Sequence, residues 1–311
     1  MKVNKGSRIF VAGHRGMVGQ GIVRQLQQQG YTKIITRTRS ELDLCNQAAV
    51  HKFFEAEKPE FVFLAAAKVG GILANNSYPA DFIRDNLLIQ THIIDAAWRN
   101  GASKLMMLGS SCIYPKFAAQ PIKEEYLMTG PLEPTNDAYA VAKIAGIYMA
   151  QAYRRQHNFN AISLMPTNLY GPGDNFDLQS SHVMPALIRK CHEAKLANQK
   201  SIVMWGTGSP KREFLHVDDM AAASVFLMQN YNAPEIVNVG TGEDISIKEL
   251  TEMVCRVVGF KGEIVSDTSK PDGTPRKLLD VSRLTSLGWK ARIQLEEGIR
   301  QTYDWFLANK K

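Results

Sequence analysis

The sequence lacks the features that would place it in a membrane, outside the cell or on a metal ion. Its longest uninterrupted apolar run, at 61–67, has seven residues, whereas a membrane-spanning helix needs about 20. Its four cysteines, Cys45, Cys112, Cys191 and Cys255, are dispersed and form no CxxC pair, so they predict neither a disulfide framework nor a zinc site. We expect no secretory leader, because residues 1–7 contain no apolar stretch before the first strand-like segment. We therefore expect a cytoplasmic protein without a metal.

Clustered positive charge is also lacking, although the net charge is +7. The densest basic cluster, Arg37 with Arg39, is too short for a nucleic-acid-binding stripe. Dispersed basicity suits an anionic small molecule and an ordinary solvated surface equally well. With 45% hydrophobic and 22% charged residues, the composition is that of a globular protein. We expect neither nucleic acid nor a membrane as a partner.

Strand-like and helical patterns alternate along most of the chain. Short apolar runs typical of buried strands occur at 8–12, 34–36, 61–65, 105–108, 161–165 and 237–240. Helical spacing of apolar residues follows from Met17 and recurs at 50–56, 82–98, 139–157, 183–195 and 216–228. This alternation predicts an α/β fold with a doubly wound parallel sheet of the Rossmann type.

The local composition of the sequence changes after Pro166, where turn-forming residues become frequent. Loops are predicted at 170–175, 205–210 and 270–275, and helical patterns recur near the end of the chain. We predict a dinucleotide-binding domain from residues 1–170 plus about 213–240. A smaller, discontinuous α/β domain that binds the substrate is predicted from about 171–212 plus 241–311. His216 is expected to hold the turn where the chain crosses between them.

Three glycines, Gly13, Gly16 and Gly19, lie between the first strand and the first helix. Glycine permits a positive φ and close approach of a diphosphate to the backbone. The helix start presents free N–H groups and the positive end of its dipole to that anion. The strand–turn–helix context favours a dinucleotide site over a merely tight turn.

The end of the second predicted strand indicates which dinucleotide is preferred. NAD-preferring sites usually place an acidic residue there to hold the ribose 2′-hydroxyl, but this chain has Arg37 and Arg39. A guanidinium suits a 2′-phosphate in charge and in geometry, which favours NADP. The alternative is that both arginines are solvated. Asp43, just beyond, could accept a hydrogen bond from the adenine amino group.

Tyr139 and Lys143 are spaced to share one face of a predicted helix. An ammonium beside a phenol is expected to lower the tyrosine pKa from its usual value of about 10. Ser110 and Ser111 end a predicted parallel strand, and ligands gather at such carboxyl edges in doubly wound folds. A serine hydroxyl there could polarise a carbonyl group while the tyrosine supplies a proton.

Together these segments resemble the short-chain dehydrogenase/reductases, in their extended branch that modifies nucleotide sugars. Further motifs resemble the 3,5-epimerase/4-reductases of that branch, which act on GDP-4-keto-6-deoxymannose. They lie at 65–72, 109–116, 166–172, 211–220 and 270–277. Asn86 matches a buried asparagine of the superfamily. The resemblance covers nearly the whole chain.

The resemblance implies two sets of catalytic residues. Ser110, Tyr139 and Lys143 would serve hydride transfer at a sugar carbon. Cys112 and His182 would be the base and the acid of epimerisation, in an order that stays open. Thiol and imidazole have free pKa values of about 8.5 and 6.5, both near working pH. The structural alternatives are a small buried hydrophobe for Cys112 and a helix-entry histidine for His182.

The resemblance also implies which residues bind the ligands. NADPH would contact the glycine turn, the ends of the sheet strands and the catalytic group, namely Gly13, His14, Arg15, Gly16, Met17, Val18, Gly19, Arg39, Asp43, Leu44, Ala66, Leu108, Gly109, Ser110, Ser111, Tyr139, Lys143, Pro166, Thr167, Asn168, Leu169 and His182. The GDP-sugar would contact Lys190, Trp205, Arg212, Asp272 and Lys277. For Trp205, the alternative is a place in the core.

The activity implied by the resemblance is 3,5-epimerisation of GDP-4-keto-6-deoxy-D-mannose followed by NADPH-dependent reduction at C4, which makes GDP-L-fucose. A homodimer is also implied, through helices that flank the sheet, including the one that bears Tyr139. The closest alternative is the same chemistry on another GDP-4-keto sugar, of the colitose or heptose type. Dehydration is disfavoured because Ser111 and Cys112 stand where dehydratases carry an acidic pair. A simple 4-epimerase would not need a cysteine–histidine pair, and a non-catalytic NADP sensor would commonly have lost Tyr139 or Lys143.

Overall fold

The computed structural model describes residues 3–178, 180–270 and 272–309, apart from the side chains of Ile72 and Leu73. The strands are β1 (Ile9–Ala12), β2 (Ile34–Ile35), β3 (Phe61–Leu64), β4 (Lys104–Leu108), β5 (Ala161–Pro166), β6 (Asn168–Tyr170), β7 (Ser201–Trp205), β8 (Lys211–Arg212), β9 (Phe214–His216), β10 (Val237–Val239), β11 (Ile245–Ser246), β12 (Glu263–Asp267) and β13 (Arg276–Lys277). The helices are α1 (Met17–Gln28), α2 (Gln47–Glu57), α3 (Ile72–Ser77), α4 (Pro79–Arg99), α5 (Asp137–His157), α6 (Val183–Leu196), α7 (Val217–Asn230), α8 (Ile247–Val258), α9 (Ser282–Ser286) and α10 (Leu295–Asn309).

A six-stranded sheet in the order β10-β5-β4-β3-β1-β2 forms the centre of the fold. Every pairing in it is parallel. Strands β1, β3, β4 and β5 are buried along their whole length, which explains their nearly continuous apolar sequences. The predicted doubly wound parallel sheet is confirmed.

Alternate residues of these strands face two separate cores. Ile9 and Val11 of β1 contribute to the core beneath α1 and α7. Phe10 points the other way, into the core that α2, α4 and α5 cover. This alternation is the period of two that a pleated strand imposes. The helices are thus divided between both faces of the sheet.

A third apolar cluster lies beyond the sheet, where α6, α8 and α10 contribute Ile188, Val254 and Phe306. Leu284 and Trp289, near the end of the chain, pack instead into the core beneath α1 and α7. The division into two domains at the stated boundaries stays a prediction. His216 ends β9 and caps α7, with its Nδ1 accepting a hydrogen bond from the Asp218 N–H at 3.2 Å. Its role at a crossover between two domains likewise stays a prediction.

Two of the predicted loops are partly strand. Tyr170 ends β6, which pairs in parallel with β9, and Trp205 ends β7, which pairs with β12. A further small sheet, in the order β11-β8-β13, has strands of two residues each. Strands this short carry no periodic signal, so the sequence could not predict them. Within the described residues, no helix is both long and apolar enough to cross a membrane.

Candidate active site

The glycine turn between β1 and α1 has the shape that a diphosphate requires. Gly13 has φ +85°, and a Cβ there would lie 2.6 Å from the backbone nitrogen of Ala66. A Cβ on Gly19 would lie 2.1 Å from the Gly13 carbonyl oxygen, so only glycine allows α1 to pack this close to the turn. Gly16 precedes α1 without a side-chain cap, which leaves N–H groups at the helix start open to an anion.

The side chains around this turn also fit a bound ligand. The Nδ1 atom of His14 is buried without a hydrogen-bond partner among the described residues, a state that a polar ligand would relieve. Arg15 is exposed, and Met17 and Val18 form the first turn of α1 half-buried. The dinucleotide interpretation of the glycine turn is therefore supported by its geometry.

The two arginines after β2 differ in their surroundings. The Arg37 guanidinium forms an ion pair with Glu57, donates to the Thr36 carbonyl oxygen at 2.8 Å and lies 5.4 Å from the Phe53 ring centroid. Arg37 is therefore half-buried and already engaged by protein groups. Arg39 is exposed and has no ion pair in the described part of the chain. Of the two, only Arg39 is available to a 2′-phosphate.

The segment predicted to hold the adenine follows directly. Asp43 is exposed, and its Oδ1 accepts from the Cys45 N–H at 3.0 Å. The Leu44 carbonyl oxygen lies 3.0 Å from Nδ1 of His92. Asp43 thus already shapes the local turn, and its second carboxylate oxygen is the one that remains for a base.

The carboxyl edge of the sheet gathers the other predicted cofactor contacts. Leu108 ends β4 and is followed by Gly109, Ser110 and Ser111, while Ala66 lies just beyond β3. A Cβ on Gly109 would lie 2.5 Å from the Met165 sulfur. A larger residue at position 109 would therefore require the Met165 side chain to move.

The end of β5 is fixed by backbone contacts to neighbouring segments. Pro166 is its last residue, and the Thr167 N–H donates to the Val239 carbonyl oxygen at 3.0 Å. The Asn168 side chain donates to the Glu213 carbonyl oxygen at 2.8 Å, and Leu169 pairs with Leu215. Residues 166–169 are thus held at the same edge as Ser110.

Ser110, Tyr139 and Lys143 meet at this edge. The Tyr139 hydroxyl lies close enough to the Ser110 side chain for Ser110 to act on its pKa, and Ser110 Oγ accepts from the Cys112 N–H at 3.2 Å. The Lys143 ammonium lies 5.8 Å from the Tyr139 ring centroid and donates to the Leu108 carbonyl oxygen at 2.8 Å. A carbonyl group of a substrate would face two hydroxyls here.

The charge states of this group differ from the expectation. Burial raises the pKa of Tyr139 well above its usual range, and the Ser110 side chain only opposes that rise. Burial lowers the pKa of Lys143 to about 8. The prediction that Lys143 lowers the pKa of Tyr139 is therefore wrong for this structure, because desolvation dominates. Tyr139 is protonated at neutral pH.

Cys112 is half-buried in the turn after β4 and faces a positive charge. The Lys277 ammonium, from β13, lies 3.7 Å from the Cys112 sulfur. At that distance the ammonium can donate a hydrogen bond to the sulfur. The contact argues against the alternative that Cys112 is only a small buried hydrophobe.

His182 precedes the first residue of α6 and lies in a segment held against the loop after β3. The Gly71 N–H donates to the Ser180 carbonyl oxygen at 3.2 Å, and a Cβ on Gly71 would lie 2.9 Å from the Ser181 carbonyl oxygen. The His182 side chain reaches solvent, yet surrounding protein limits its hydration and lowers the pKa of the imidazole. A neutral imidazole at pH 7 can act as a base.

Asn86 fixes the other end of that loop. Its Oδ1 accepts from the Lys68 N–H at 3.0 Å, and its Nδ2 donates to the carbonyl oxygens of Lys68 and Phe82. It is 2% exposed, so the predicted buried asparagine is confirmed. It supports residues 68–71, which touch the segment before His182.

Trp205 is 63% exposed, which rules out the alternative that it belongs to the core. Two ammonium groups lie near its indole ring, that of Lys190 at 5.0 Å and that of Lys270 at 5.7 Å from the centroid. Lys270 was not predicted as a separate candidate, although it begins the motif at 270–277. The indole and both lysines form a surface suited to an anionic ligand.

Arg212 and Lys277 are paired in register across β8 and β13. Burial lowers the pKa of the Arg212 guanidinium, and the described residues give it no ion pair. A Cβ on Gly273 would lie 2.9 Å from an Arg212 nitrogen. Arg212 therefore brings a charge without an ion pair, among the described residues, to the same small sheet as Lys277.

Asp272 has a role that the sequence did not predict. One of its carboxylate oxygens accepts from the Thr207 N–H at 2.9 Å, and the other accepts from the Thr207 hydroxyl at 2.7 Å. It thereby joins the 205–210 loop to the 270–275 loop, whose Pro271 lies outside the described residues. Its carboxylate would have to share these bonds to contact a ribose as well.

Two fully buried polar residues behind the site were missed by sequence reasoning. Glu213 is 0% exposed, and its carboxylate accepts from the N–H groups of Thr241, Gly242 and Leu279. Asn238 is also 0% exposed, within β10. For Asn238 the available signal was an amide residue inside the apolar strand-like run at 237–240, whereas Glu213 follows two basic residues and has no such signal.

The chain was compared with known protein families and sequences. Residues 9–240 match the model of the NAD dependent epimerase/dehydratase family. A putative GDP-L-fucose synthase 2 of Arabidopsis thaliana is 63% identical over 99% of this chain and 94% of that protein. The GDP-L-fucose synthase of Escherichia coli is 56% identical over 97% of both chains.

Solved structures give the same fold. A GDP-6-OMe-4-keto-L-xylo-heptose reductase from C. jejuni superimposes with a TM-score of 0.95 at 40% identity, over 100% of both chains. A GDP-L-fucose synthetase from Naegleria fowleri bound to NADP superimposes with a TM-score of 0.92 at 29% identity, over 99% of this chain and 95% of that one.

Proposed function

This chain belongs to the NAD dependent epimerase/dehydratase family and to the GDP-L-fucose synthases within it, and we propose that it converts GDP-4-keto-6-deoxy-D-mannose to GDP-L-fucose with NADPH. The observation that carries the proposal is the convergence of two hydroxyls and a thiol at one sheet edge. Ser110 lies beside the Tyr139 hydroxyl and accepts a hydrogen bond from the Cys112 backbone N–H. One carbonyl group could thus be polarised beside a group able to move a proton.

Epimerisation begins with loss of a proton from C3 or C5, beside the C4 ketone. The C–H electron pair then forms the carbon–carbon double bond of an enolate, and the negative charge moves to the C4 oxygen. Hydrogen bonds from Ser110 and Tyr139 stabilise that oxygen. Cys112 and His182 take the proton and return one to the opposite face, and which of them is the base stays open.

Reduction at C4 uses the same two hydroxyls. When bound, NADPH supplies the hydride that C4 receives. Tyr139 gives its hydroxyl proton to the C4 oxygen, and its raised pKa keeps that proton in place until the oxygen becomes basic. Lys143 keeps an ammonium near the tyrosine ring for the phenolate left behind.

The residues that would hold NADPH lie along the sheet edge. The glycine turn and α1 would take the diphosphate. Arg39 would take the 2′-phosphate. Residues 166–169 and His182 would border the nicotinamide end. The fit rests on the turn at Gly13 and on the unpartnered Nδ1 of His14.

The GDP group would lie opposite the sheet edge, on the wall formed by strands β8 and β13 and by the surroundings of Trp205. Lys190, Arg212, Lys270 and Lys277 have no ion pair in the parts of the chain that the structure describes. Four such cations suit the negative diphosphate of a GDP-sugar. Trp205 adds an exposed flat surface that can stack on a base or a sugar.

A homodimer formed through α5 is supported by an exposed apolar surface on that helix. Val141 and Tyr148 are 45% and 47% exposed, and their spacing of two helical turns places them on one face. Sedimentation equilibrium would test this, with a change of Tyr148 to glutamate expected to yield a monomer. A dimer unaffected by that change would place the interface elsewhere.

Substrate identity is tested by a direct comparison of GDP-sugars. The protein should oxidise NADPH with GDP-4-keto-6-deoxymannose and release GDP-L-fucose, identified by NMR. Its kcat/KM for that sugar should exceed the value for a GDP-4-keto-heptose and for a GDP-4-keto-deoxyhexose that lacks a further hydroxyl. A higher kcat/KM with either of these would replace the proposed substrate but keep the chemistry.

A further inference from the structure

We infer that Asn238 is a positioning residue for epimerisation: it holds the turn that carries Cys112 and the strand that carries Lys277 in their mutual position. The inference rests on the proposed function, because that function assigns proton transfer to Cys112. Asn238 lies in β10, the strand at one edge of the main sheet, and is 0% exposed. It belongs to neither the cofactor contacts nor the substrate contacts.

The side-chain oxygen of Asn238 contacts the segment that follows Cys112. Tyr114, two residues beyond Cys112, is 3% exposed, and its hydroxyl donates to Asn238 Oδ1 at 2.6 Å. This is a short hydrogen bond between two buried groups. It fixes where the chain goes immediately after Cys112.

The side-chain nitrogen of Asn238 contacts the segment that follows Lys277 and its neighbour Ile122. Asn238 Nδ2 donates to the Asp280 carbonyl oxygen at 3.1 Å and to the Ile122 carbonyl oxygen at 2.9 Å. Ile122 in turn pairs with residues just after Lys277: its N–H donates to Leu278 at 2.7 Å, and its carbonyl oxygen accepts from Asp280 at 2.8 Å. The Asn238 amide thereby helps to fix the path of residues 278–280, directly at Asp280 and through Ile122 at Leu278.

These contacts act together with two others that hold the segment after Lys277: the Leu278 N–H donates to Gln120 Oε1 at 2.8 Å, and the Leu279 N–H donates to Glu213 Oε2 at 3.0 Å. Strand β13 has two residues, and its pairing with β8 is equally short. The contact of 3.7 Å joins residues 165 positions apart in the sequence. The Asn238 amide binds one segment through its oxygen and the other through its nitrogen, so loss of either bond leaves a buried polar group unpaired and lets one segment shift.

The test separates proton transfer from hydride transfer. Proton transfer is the exchange of deuterium into C3 and C5 of GDP-4-keto-6-deoxymannose in deuterated water with NADP+ present. Hydride transfer is the initial rate of GDP-L-fucose oxidation by NADP+. The variants are Tyr114→Phe and Asn238→Asp. The matched control is Tyr231→Phe, which removes a buried tyrosine hydroxyl that donates to the Glu235 carbonyl oxygen at 3.0 Å, just before β10.

In Tyr114→Phe, we expect kcat for exchange to fall by about tenfold or more, since a small displacement of a reacting group has effects of this size. KM for the GDP-sugar and the rate of GDP-L-fucose oxidation should stay within about twofold of wild type. Asn238→Asp should lose more exchange, because it removes the donors to both carbonyl oxygens. Tyr231→Phe should leave both rates unchanged.

Three results would overturn the inference. Exchange could persist at the wild-type rate in Tyr114→Phe and Asn238→Asp, exchange and oxidation could fall together, or Tyr231→Phe could lose exchange to the same degree. If Asn238→Asp fails to bind NADPH and so has not folded, Tyr114→Phe alone decides. Absence of exchange in the wild-type protein would instead overturn the proposed function, and the inference with it.

Discussion

The carboxyl edge of the parallel sheet and the wall opposite it, which strands β8 and β13 form, are built in different ways. Ser110 and Thr167 each follow a fully buried strand of five or six residues, so the core fixes their positions. Arg212 and Lys277 lie in strands of two residues, held by a few hydrogen bonds and by buried polar residues behind them. On the proposed function, the rigid edge would serve the C4 carbonyl group, whereas the lightly supported wall would bind the GDP-sugar and complete the proton-transfer site.

The largest effect should come from the sheet edge. Tyr139→Phe removes the proton donor for the C4 oxygen, so reduction should fall by about a thousandfold, within the usual range for a lost acid catalyst. Deuterium exchange at C3 and C5 should persist at a reduced rate, because Ser110 still polarises the carbonyl group. NADPH absorbance and NMR of the recovered sugar measure the two steps. Equal loss of both would show that the edge does not serve reduction specifically.

Cys112→Ala should have the opposite pattern. We expect exchange at C3, C5 or both to fall by about a hundredfold, since a proton carrier is lost. Oxidation of GDP-L-fucose by NADP+ should stay near the wild-type rate, because Tyr139 and Lys143 are intact. Cys255→Ala, at a buried thiol of α8, is the control for loss of a cysteine elsewhere. Unchanged exchange in Cys112→Ala would remove this residue from the mechanism.

Arg212→Met tests the wall as a binding surface. A half-buried charge facing a diphosphate contributes about 1.5–3 kcal/mol, so KM for the GDP-sugar should rise by about 30-fold, with KM for NADPH unchanged. Arg256→Met, which removes an exposed arginine from α8, is the matched control. A fall in kcat with no change in KM would contradict the assignment of Arg212 to ground-state binding.

Arg39→Ala should have the smallest effect. Because Arg39 is exposed, its contact with a 2′-phosphate is partly screened, and we expect KM for NADPH to rise by about tenfold with little change for NADH. Arg37→Ala should leave the NADPH-to-NADH ratio unchanged and lower thermal stability, since it breaks the contact with Glu57. A changed ratio in Arg37→Ala alone would exchange the two roles.

The sequence predicts the sheet edge better than it predicts the wall of short strands. The strands of the main sheet, the glycine turn and α5 have strong local patterns, and their positions agree with the structure within a few residues. The contact between Cys112 and Lys277 could not be predicted, because it depends on strands of two residues paired across a long separation. The charge states of Tyr139 and Lys143 were also beyond the sequence, since burial decides them.

Asp272 and Arg37 show that residue type alone does not identify a ligand contact. Both have the right residue type for a ligand contact, and both bond to protein groups instead: Asp272 to Thr207, and Arg37 to Glu57. Residue type and spacing identify candidates, but only the structure shows which polar atoms remain available. Arg39 and Arg212 do remain available by that criterion.

The central claim is that one pocket performs two separable chemistries. The most direct test is incubation of the wild-type protein with GDP-4-keto-6-deoxymannose in deuterated water, with NADP+ filling the cofactor site so that no hydride is available. We predict deuterium at both C3 and C5 without reduction, and conversion to doubly labelled GDP-L-fucose once NADPH replaces NADP+. Label that enters only when NADPH is consumed, or at neither carbon, would contradict the account.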